Sequence, residues 1–124
     1  MNTNRDQSGI YQFNYRKPRV STAFPLFVQA HPHLLEGRGI DISEDGLSAS
    51  LPEPLAIESE VTLVLDLPGP HPYQRIQARV THQQEKNHGF IFVFRTQAER
   101  DHLQESILLL SSELVRSSRD PEKS

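Results

Sequence analysis

Three cations lie within four residues near the start of the chain. Arg16, Lys17 and Arg19 directly precede a run of apolar and β-branched residues that begins at Val20. An arginine presents a planar set of N–H donors that meets phosphate oxygens, or the O6/N7 edge of guanine, with two hydrogen bonds, and its flat face stacks on a purine. Lys17 offers a point charge only. This basic segment is therefore a candidate grip for a small anionic ligand.

A second polar group, Asp41, Ser43 and Gly46, lies where a predicted strand runs into a turn. Because side chains alternate along a strand, Asp41 and Ser43 are expected on the same face. A carboxylate accepts hydrogen bonds from paired N–H donors, and the Watson–Crick edge of guanine presents two such donors. Gly46 predicts a turn with a positive φ, which costs other residues free energy. These residues are candidates for reading a purine edge.

The composition limits the classes of protein to consider. The 124 residues include 13 Lys and Arg, 16 Asp and Glu, and no Cys. This length fits one domain, and the absence of Cys excludes disulfides, thiolate metal sites and a Cys nucleophile. The net negative charge argues against duplex nucleic acid as a partner. No secretory signal or membrane-spanning apolar run is evident, so we expect a cytoplasmic protein without membrane insertion.

The apolar pattern predicts six strands. They are expected over residues 20–30, 33–43, 46–51, 59–67, 75–81 and 89–95. Pro25 suits an edge strand or a bulge better than a central strand. The fourth and fifth predicted strands alternate apolar and polar residues, so each has one inward face. The sixth, which contains Phe90 and Ile91, is apolar on both faces, so we expect both of its faces to be covered.

The periodicity changes to that of a helix after the sixth strand. Thr96 and Glu99 fit a reciprocal capping box at the start of this helix. Apolar residues follow at helical spacing, widened by two neighbours on the same side. The stripe consists of Leu103, Ile107, Leu110 and Leu114, and the widening residues are Leu108 and Val115. The predicted fold is therefore all-β, a six-stranded antiparallel barrel whose C-terminal α-helix closes one end or side. We expect the apolar stripe of this helix to pack against the last strand.

One domain with polar ends is the predicted organisation. Residues 1–13 are expected to be a flexible arm, and residues 117–124 a disordered tail. The barrel domain is expected over residues 14–116, with its helix over about residues 97–116.

The two polar motifs, in this order and in a chain of this size, resemble the PilZ family of bacterial receptor domains for cyclic dimeric GMP (c-di-GMP). The family pattern has two arginines ahead of the first strand, followed later by Asp or Asn, any residue, Ser, two residues and Gly. Asp41, Ser43 and Gly46 match the second part, and Arg19 takes the place of the second arginine. The place of the first arginine, four residues earlier, is held by Tyr15.

The resemblance implies a c-di-GMP receptor, not an enzyme, that needs no cofactor and relays the signal to a protein partner. Arg16 and Arg19 would hold phosphate and guanine, with Lys17 as an added charge, while Asp41 and Ser43 would hold the guanine edge. The partner would belong to motility, pilus or exopolysaccharide and biofilm machinery. The protein would be a monomer or a weak dimer. Two alternatives follow from Tyr15: it stacks on a base while Arg16 grips phosphate, or the chain is a PilZ-like protein-interaction module that does not bind nucleotide.

Other chemistry is weakly supported by the residues. Six His invite a metal site, but no three of them are fixed by spacing as ligands. Ser43 lacks the Gly-x-Ser-x-Gly setting of a hydrolase nucleophile. The Phe residues of the sixth strand are typical of a base-stacking sheet, but no basic residues are interleaved with them, so a core role is favoured.

Overall fold

Six strands and one helix follow one another along the chain. The computed structural model describes residues 19–119. The elements are β1 (Val20–Ala30), β2 (His33–Ile42), β3 (Gly46–Ser50), β4 (Glu60–Asp66), β5 (Tyr73–Gln84), β6 (Asn87–Val93) and α1 (Gln97–Arg119). All six predicted strands are therefore present. The predicted arm over residues 1–13 lies outside the described residues, as do residues 120–124 of the predicted tail.

The strands close into a barrel in the order β1-β2-β3-β6-β5-β4, and every neighbouring pair is antiparallel. The predicted six-stranded antiparallel barrel is confirmed. Its core is made by the inward faces that the alternation predicted: in β4, and over residues 75–81 of β5, every second side chain is at most 3% exposed. These side chains are Val61, Leu63, Leu65, Ile76, Ala78 and Val80.

Pro25 lies in a strand that is paired on both sides, so the edge-strand interpretation is wrong; Pro25 follows an irregularity of the ladder and itself pairs regularly with Arg38 of β2. The β1–β2 ladder is irregular between Ser21 and Phe24, and the pairing of β1 with β4 begins only at Leu26. Pro25 therefore precedes the β4 ladder, where its missing N–H interrupts no pairing with that strand.

The expectation that both faces of β6 are covered is wrong. Phe90 and Phe92 point into the core, but Ile91 and Val93 on the other face are about two-fifths exposed. The reason is the placement of α1, which closes one end of the barrel and does not lie along the outer wall of β6. Phe94, just beyond the strand, packs against the core from that end.

Two residues of α1 plug the barrel end at which β1 begins and β2 ends. Leu103 is fully buried and Ile107 nearly so, while Leu110 and Leu114 pack partly buried against the same core. Leu108 and Val115, which were expected to widen this stripe, are 68% and 51% exposed. They lie outside the stripe from Leu103 to Leu114, which is the part of α1 that covers the barrel end.

The β4–β5 loop and the start of β5 contact the other side of α1. Gly69 has a φ of 111°, and a Cβ there would lie 2.7 Å from the Leu109 side chain. Gln74 Nε2 donates to Ser106 Oγ at 2.6 Å, and the imidazole rings of His71 and His102 stack with centroids 3.8 Å apart. The helix is thus fixed by polar contacts as well as by its apolar stripe.

The start of α1 is only half of the predicted capping box. The Glu99 N–H donates to Thr96 Oγ1 at 3.2 Å, as predicted. The Glu99 carboxylate, however, accepts from the Arg95 N–H at 2.9 Å and bonds the Arg95 guanidinium, so it reaches one residue further back than a capping box requires. At the other end, the helix continues to Arg119, so residues 117–119 belong to α1 and not to the predicted tail.

Candidate functional site

The start of β1 and the end of β2 meet at the barrel end that α1 closes. In the antiparallel ladder, Val20 pairs with Ile42 and Ser21 with Asp41. Arg19 comes immediately before this ladder and Ser43 immediately after it, so strand register alone brings the two motifs together. Both motifs were predictable from the sequence, but the distance between them was not.

The Arg19 guanidinium contacts both polar side chains of the second motif. Its Nη2 donates to Asp41 Oδ1 at 2.8 Å, and its Nη1 donates to Ser43 Oγ at 3.5 Å. The Arg19 side chain is 46% exposed and that of Asp41 is 24% exposed. The pair is therefore open to solvent, where such an ion pair is worth only about 0–1 kcal/mol. An anionic ligand can compete for this guanidinium at small cost.

Ser43 is the buried member of the site, at 2% exposure. Its backbone N–H donates to the Gly46 carbonyl at 2.9 Å, which closes the β2–β3 turn. Its hydroxyl donates to the same carbonyl at 3.4 Å and accepts from the Asp45 N–H at 3.3 Å. The turn thus fixes the hydroxyl, and the Arg19 guanidinium contacts the hydroxyl oxygen from the remaining side.

Gly46 is required by a close approach and not by its φ. The described residues contain one glycine with a positive φ, and it is Gly69, so the predicted positive φ at Gly46 is wrong. A Cβ on Gly46 would lie 2.1 Å from the carbonyl oxygen of Phe90, on the neighbouring strand β6. The absence of a side chain at Gly46 therefore lets the turn pack against β6, where the Phe92 N–H donates to the Asp45 carbonyl at 2.9 Å.

The same turn is tied to α1 by residues that the sequence analysis missed. Gln104 Nε2 donates to Glu44 Oε1, and Arg100 Nη1 lies 3.9 Å from a Glu44 oxygen and 4.0 Å from one of Asp45. The Arg100 guanidinium also lies 4.7 Å from the centroid of the Phe94 ring, a cation–π distance. Glu44 and Asp45 are therefore not simply solvated turn residues, because both are near polar side chains of α1.

A signal for this link was present in the sequence. Arg100 and Gln104 are four residues apart and so share one face of the helix. Which element that face meets is decided only by the packing of α1 on the barrel end.

Three of the predicted site residues, Tyr15, Arg16 and Lys17, lie outside the described residues. The structure brings together the other four, Arg19, Asp41, Ser43 and Gly46. This part of the site offers a guanidinium, an accessible carboxylate and a positioned hydroxyl, which suit a ligand with both negative charge and N–H donors. Between residues 19 and 119, no three His, Asp or Glu side chains are grouped closely enough to hold a metal ion.

A sequence model of the PilZ domain matches residues 14–109 of this chain. The chain belongs to the PilZ family, whose domains are c-di-GMP receptors and binding modules.

Two solved structures share the fold. The PilZ domain of CeSA from a cellulose-synthesizing bacterium superposes with a TM-score of 0.62 at 18% identity, over 74% of this chain and 97% of that one. The inhibitor of motility MotI/DgrA of Bacillus subtilis superposes with a TM-score of 0.60 at 14% identity, over 80% of this chain and 52% of that one. At these identities the likeness concerns the fold. No curated protein matches the chain.

Among residues 19–119, no helix combines the length and the apolar character needed to cross a bilayer.

Proposed function

We propose that this chain binds c-di-GMP at the barrel end formed by Arg19, Asp41 and Ser43, and relays binding to a protein partner as an adaptor in the cytoplasm. The observation that supports it most is the shared guanidinium: one Arg19 side chain contacts both Asp41 and Ser43, at 2.8 and 3.5 Å. The two motifs that the family uses are thus within reach of a single small ligand.

The chemistry of each group fits a guanine nucleotide. The Asp41 carboxylate accepts from the paired N–H donors of the guanine edge, and Arg19 turns from Asp41 to a phosphate or to the purine face. Because the Arg19–Asp41 pair is solvent-exposed, this exchange gives up a weak interaction for a charge-assisted bond to the ligand.

The segment before Arg19 supplies the remaining contacts in this proposal. Arg16 grips phosphate, Lys17 adds positive charge, and Tyr15, which stands where the family has its first arginine, stacks on a base. The family match beginning at residue 14 supports the inclusion of this segment.

Relay to a partner is the second half of the proposal. The turn that carries Ser43 is bonded to α1 through Glu44 and Gln104, so a ligand on the turn acts directly on the helix. A protein partner that reads this end of the barrel senses the ligand. We expect the adaptor to act as a monomer or weak dimer on motility, pilus or exopolysaccharide machinery.

Calorimetric titration of the purified chain with c-di-GMP tests the binding step. Binding heat, together with amide chemical-shift changes at Arg19 and Ser43, is the expected result. Titration with GMP under the same conditions is the control for unspecific nucleotide binding. Titration of Tyr15→Arg beside the natural chain shows whether the tyrosine limits affinity, in which case the variant binds more tightly.

The alternative is a PilZ-like interaction module that does not bind nucleotide. The specific observation in its favour is Tyr15 at the position of the family's first arginine. Absence of heat, and of any shift at Arg19 or Ser43, from both the natural chain and Tyr15→Arg would leave this alternative as the function.

A further inference from the structure

A groove runs along α1 beside the start of β1. Its floor is Ile107 and Val20, and one wall is Leu108; the polar groups on its rim are Glu44, Gln104 and Ser111. It has a volume of about 350 Å³. Leu108 is 68% exposed, so the groove offers apolar surface whose burial is favourable. It lies outside the contacts that Arg19 makes with Asp41 and Ser43.

The groove is a continuous feature of the helix and not a single exposed leucine. Gln104, Leu108, Ser111 and Val115 follow one another at spacings of four, three and four, which is one stripe of an α-helix. This stripe adjoins the buried one and carries Leu108 and Val115, both more than half exposed. An extended segment lying along the stripe would cover both of these residues.

A matching segment of the chain enters at the groove itself. Val20 lines the groove, and the 18 residues before Arg19 lie outside the described part of the chain. Within them, Tyr11, Phe13 and Tyr15 alternate with polar residues, so an extended backbone would place the three rings on one face. The seven residue-to-residue steps from Phe13 to Val20 can span about 23 Å, whereas Gln104 to Val115 covers about 16 Å of helix.

Charge complementarity supports the same occupant. The residues that connect the aromatic segment to the barrel include Arg16 and Lys17, and the groove has an acidic side chain on its rim, Glu44, which also bonds Gln104 and lies near Arg100. A second copy of the chain would also have to bring an apolar face to the groove, but it would lack the tether that raises the effective concentration of the chain's own segment.

We propose that the aromatic segment of residues 11–15 docks into this α1 groove of its own chain when no nucleotide is bound. The rings of Tyr11 and Phe13 cover Leu108 and Ile107, and the segment runs along the stripe from Gln104 towards Val115. This goes beyond the proposed nucleotide binding and does not depend on it. Where both proposals hold, the nucleotide and the groove bind the same segment, so nucleotide binding exposes the α1 stripe.

Paramagnetic relaxation in solution tests the docking on the full chain without nucleotide. The chain has no Cys, so Ser112→Cys carries a single spin label on α1 next to Leu108. The matched control is a label at Lys86→Cys, in the β5–β6 turn at the opposite end of the barrel. We expect loss of the amide signals of residues 11–15 with the first label and their retention with the second.

Two further measurements separate docking from the effect of the tether alone. In Ser112→Cys/Leu108→Gln the exposed side chain of Leu108 becomes polar, and we expect the signals of residues 11–15 to return while those of the barrel keep their positions. Signal loss that is unchanged by Leu108→Gln overturns the proposal. The second measurement uses a mixture of two chains, one spin-labelled and the other isotope-labelled without a spin label. Signal loss in this mixture would show that the groove binds a second copy of the chain, and would also overturn the proposal.

Discussion

The Arg19 guanidinium contacts a partly exposed carboxylate and a buried hydroxyl, 2.8 and 3.5 Å away. Asp41 holds it by charge, while Ser43 is itself fixed by two bonds within the β2–β3 turn. At the scale of single residues, the turn therefore holds Ser43 rigidly, whereas Arg19 can exchange its partner. That combination suits a ligand that replaces Asp41 as the partner of Arg19.

Arg19→Ala is expected to weaken c-di-GMP binding roughly tenfold or more, since a hydrogen bond to a charged group is worth about 1.5–3 kcal/mol. Calorimetry measures it. Lys86→Ala is the matched control, because it removes one positive charge at the other end of the barrel and should leave the affinity unchanged. Equal affinity of Arg19→Ala and the natural chain removes Arg19 from the proposed site.

Gly46→Ala is expected to destabilise the fold by about 1–3 kcal/mol, as overpacking does. Its Cβ would lie 2.1 Å from the Phe90 carbonyl oxygen, and a backbone atom of a neighbouring strand cannot give way cheaply. Urea denaturation measures the change. Ser48→Ala, on the same strand, is the control with little expected effect; a Gly46→Ala variant as stable as this control would contradict the close approach.

His88 is the other residue whose contacts predict a large effect. It is 1% exposed, its Nε2 accepts from the Leu55 N–H at 3.0 Å, and its Nδ1 lies 2.9 Å from the Lys86 carbonyl oxygen. Because Nε2 accepts, the ring proton is on Nδ1 and donates to that carbonyl.

His88→Leu is expected to destabilise the protein by about 1–3 kcal/mol, because the part-buried Leu55 N–H loses its acceptor. The Lys86 carbonyl keeps one partner, since it also accepts from the Leu51 N–H at 2.9 Å. Denaturation in urea, compared with His82→Leu at an exposed position of β5, measures the difference. A loss of stability no larger than in the control would show that water replaces both bonds.

At the scale of elements, α1 is the part of the fold whose position matters most for the site. It is attached on one side through the Leu103 stripe. On another side His102 contacts the β4–β5 loop and Ser106 bonds the start of β5, and on a third Gln104 bonds the turn that carries Ser43. The helix is therefore both the plug of the barrel and the neighbour of the proposed ligand.

Leu103→Ala is expected to cost about 2–5 kcal/mol of stability, as for other fully buried leucines. Val115→Ala, on the same helix but 51% exposed, should change stability by less than about 0.5 kcal/mol. Thermal and urea unfolding of both variants give the comparison. Similar stabilities for the two would mean that the barrel holds together without its plug.

At the scale of the whole molecule, the barrel has two different ends. One end carries Arg19, the β2–β3 turn, the β4–β5 loop and α1. The other carries the β1–β2 and β5–β6 turns and the segment that bonds His88. The strands between them form a closed ladder with no edge at which the sheet can shift, so a ligand at the first end is expected to act on α1 and not on the far end.

Addition of c-di-GMP is therefore expected to shift the amide signals of residues 43–46 and 100–104 and to leave those of residues 85–87 in place. Two-dimensional NMR measures this. Arg100→Ala weakens the connection of α1 to Glu44 and Asp45, so the shifts in the helix should become smaller while those in the turn persist. Helix shifts of the same size in this variant would contradict transmission through the turn.

Local patterns in the sequence were enough to predict the six strands, the end helix, and the Arg19 and Asp41–Ser43–Gly46 motifs. Alternation and helical spacing are properties of neighbouring residues, and a family resemblance adds the order of the elements. The outer face of β6, the exposure of Leu108 and the role of Gly46 were not predictable in this way. Each depends on which surface another element covers.

The amino-acid sequence by itself determined the elements, their inward faces and the two motifs, because each of these depends on residues a few positions apart. Only the tertiary structure decided that Arg19 meets Asp41 and Ser43, that α1 closes the barrel end through Leu103, and that Arg100 and Gln104 reach the β2–β3 turn. These contacts join residues 22 to 60 positions apart, and strand register and helix placement fix them only after the barrel has closed.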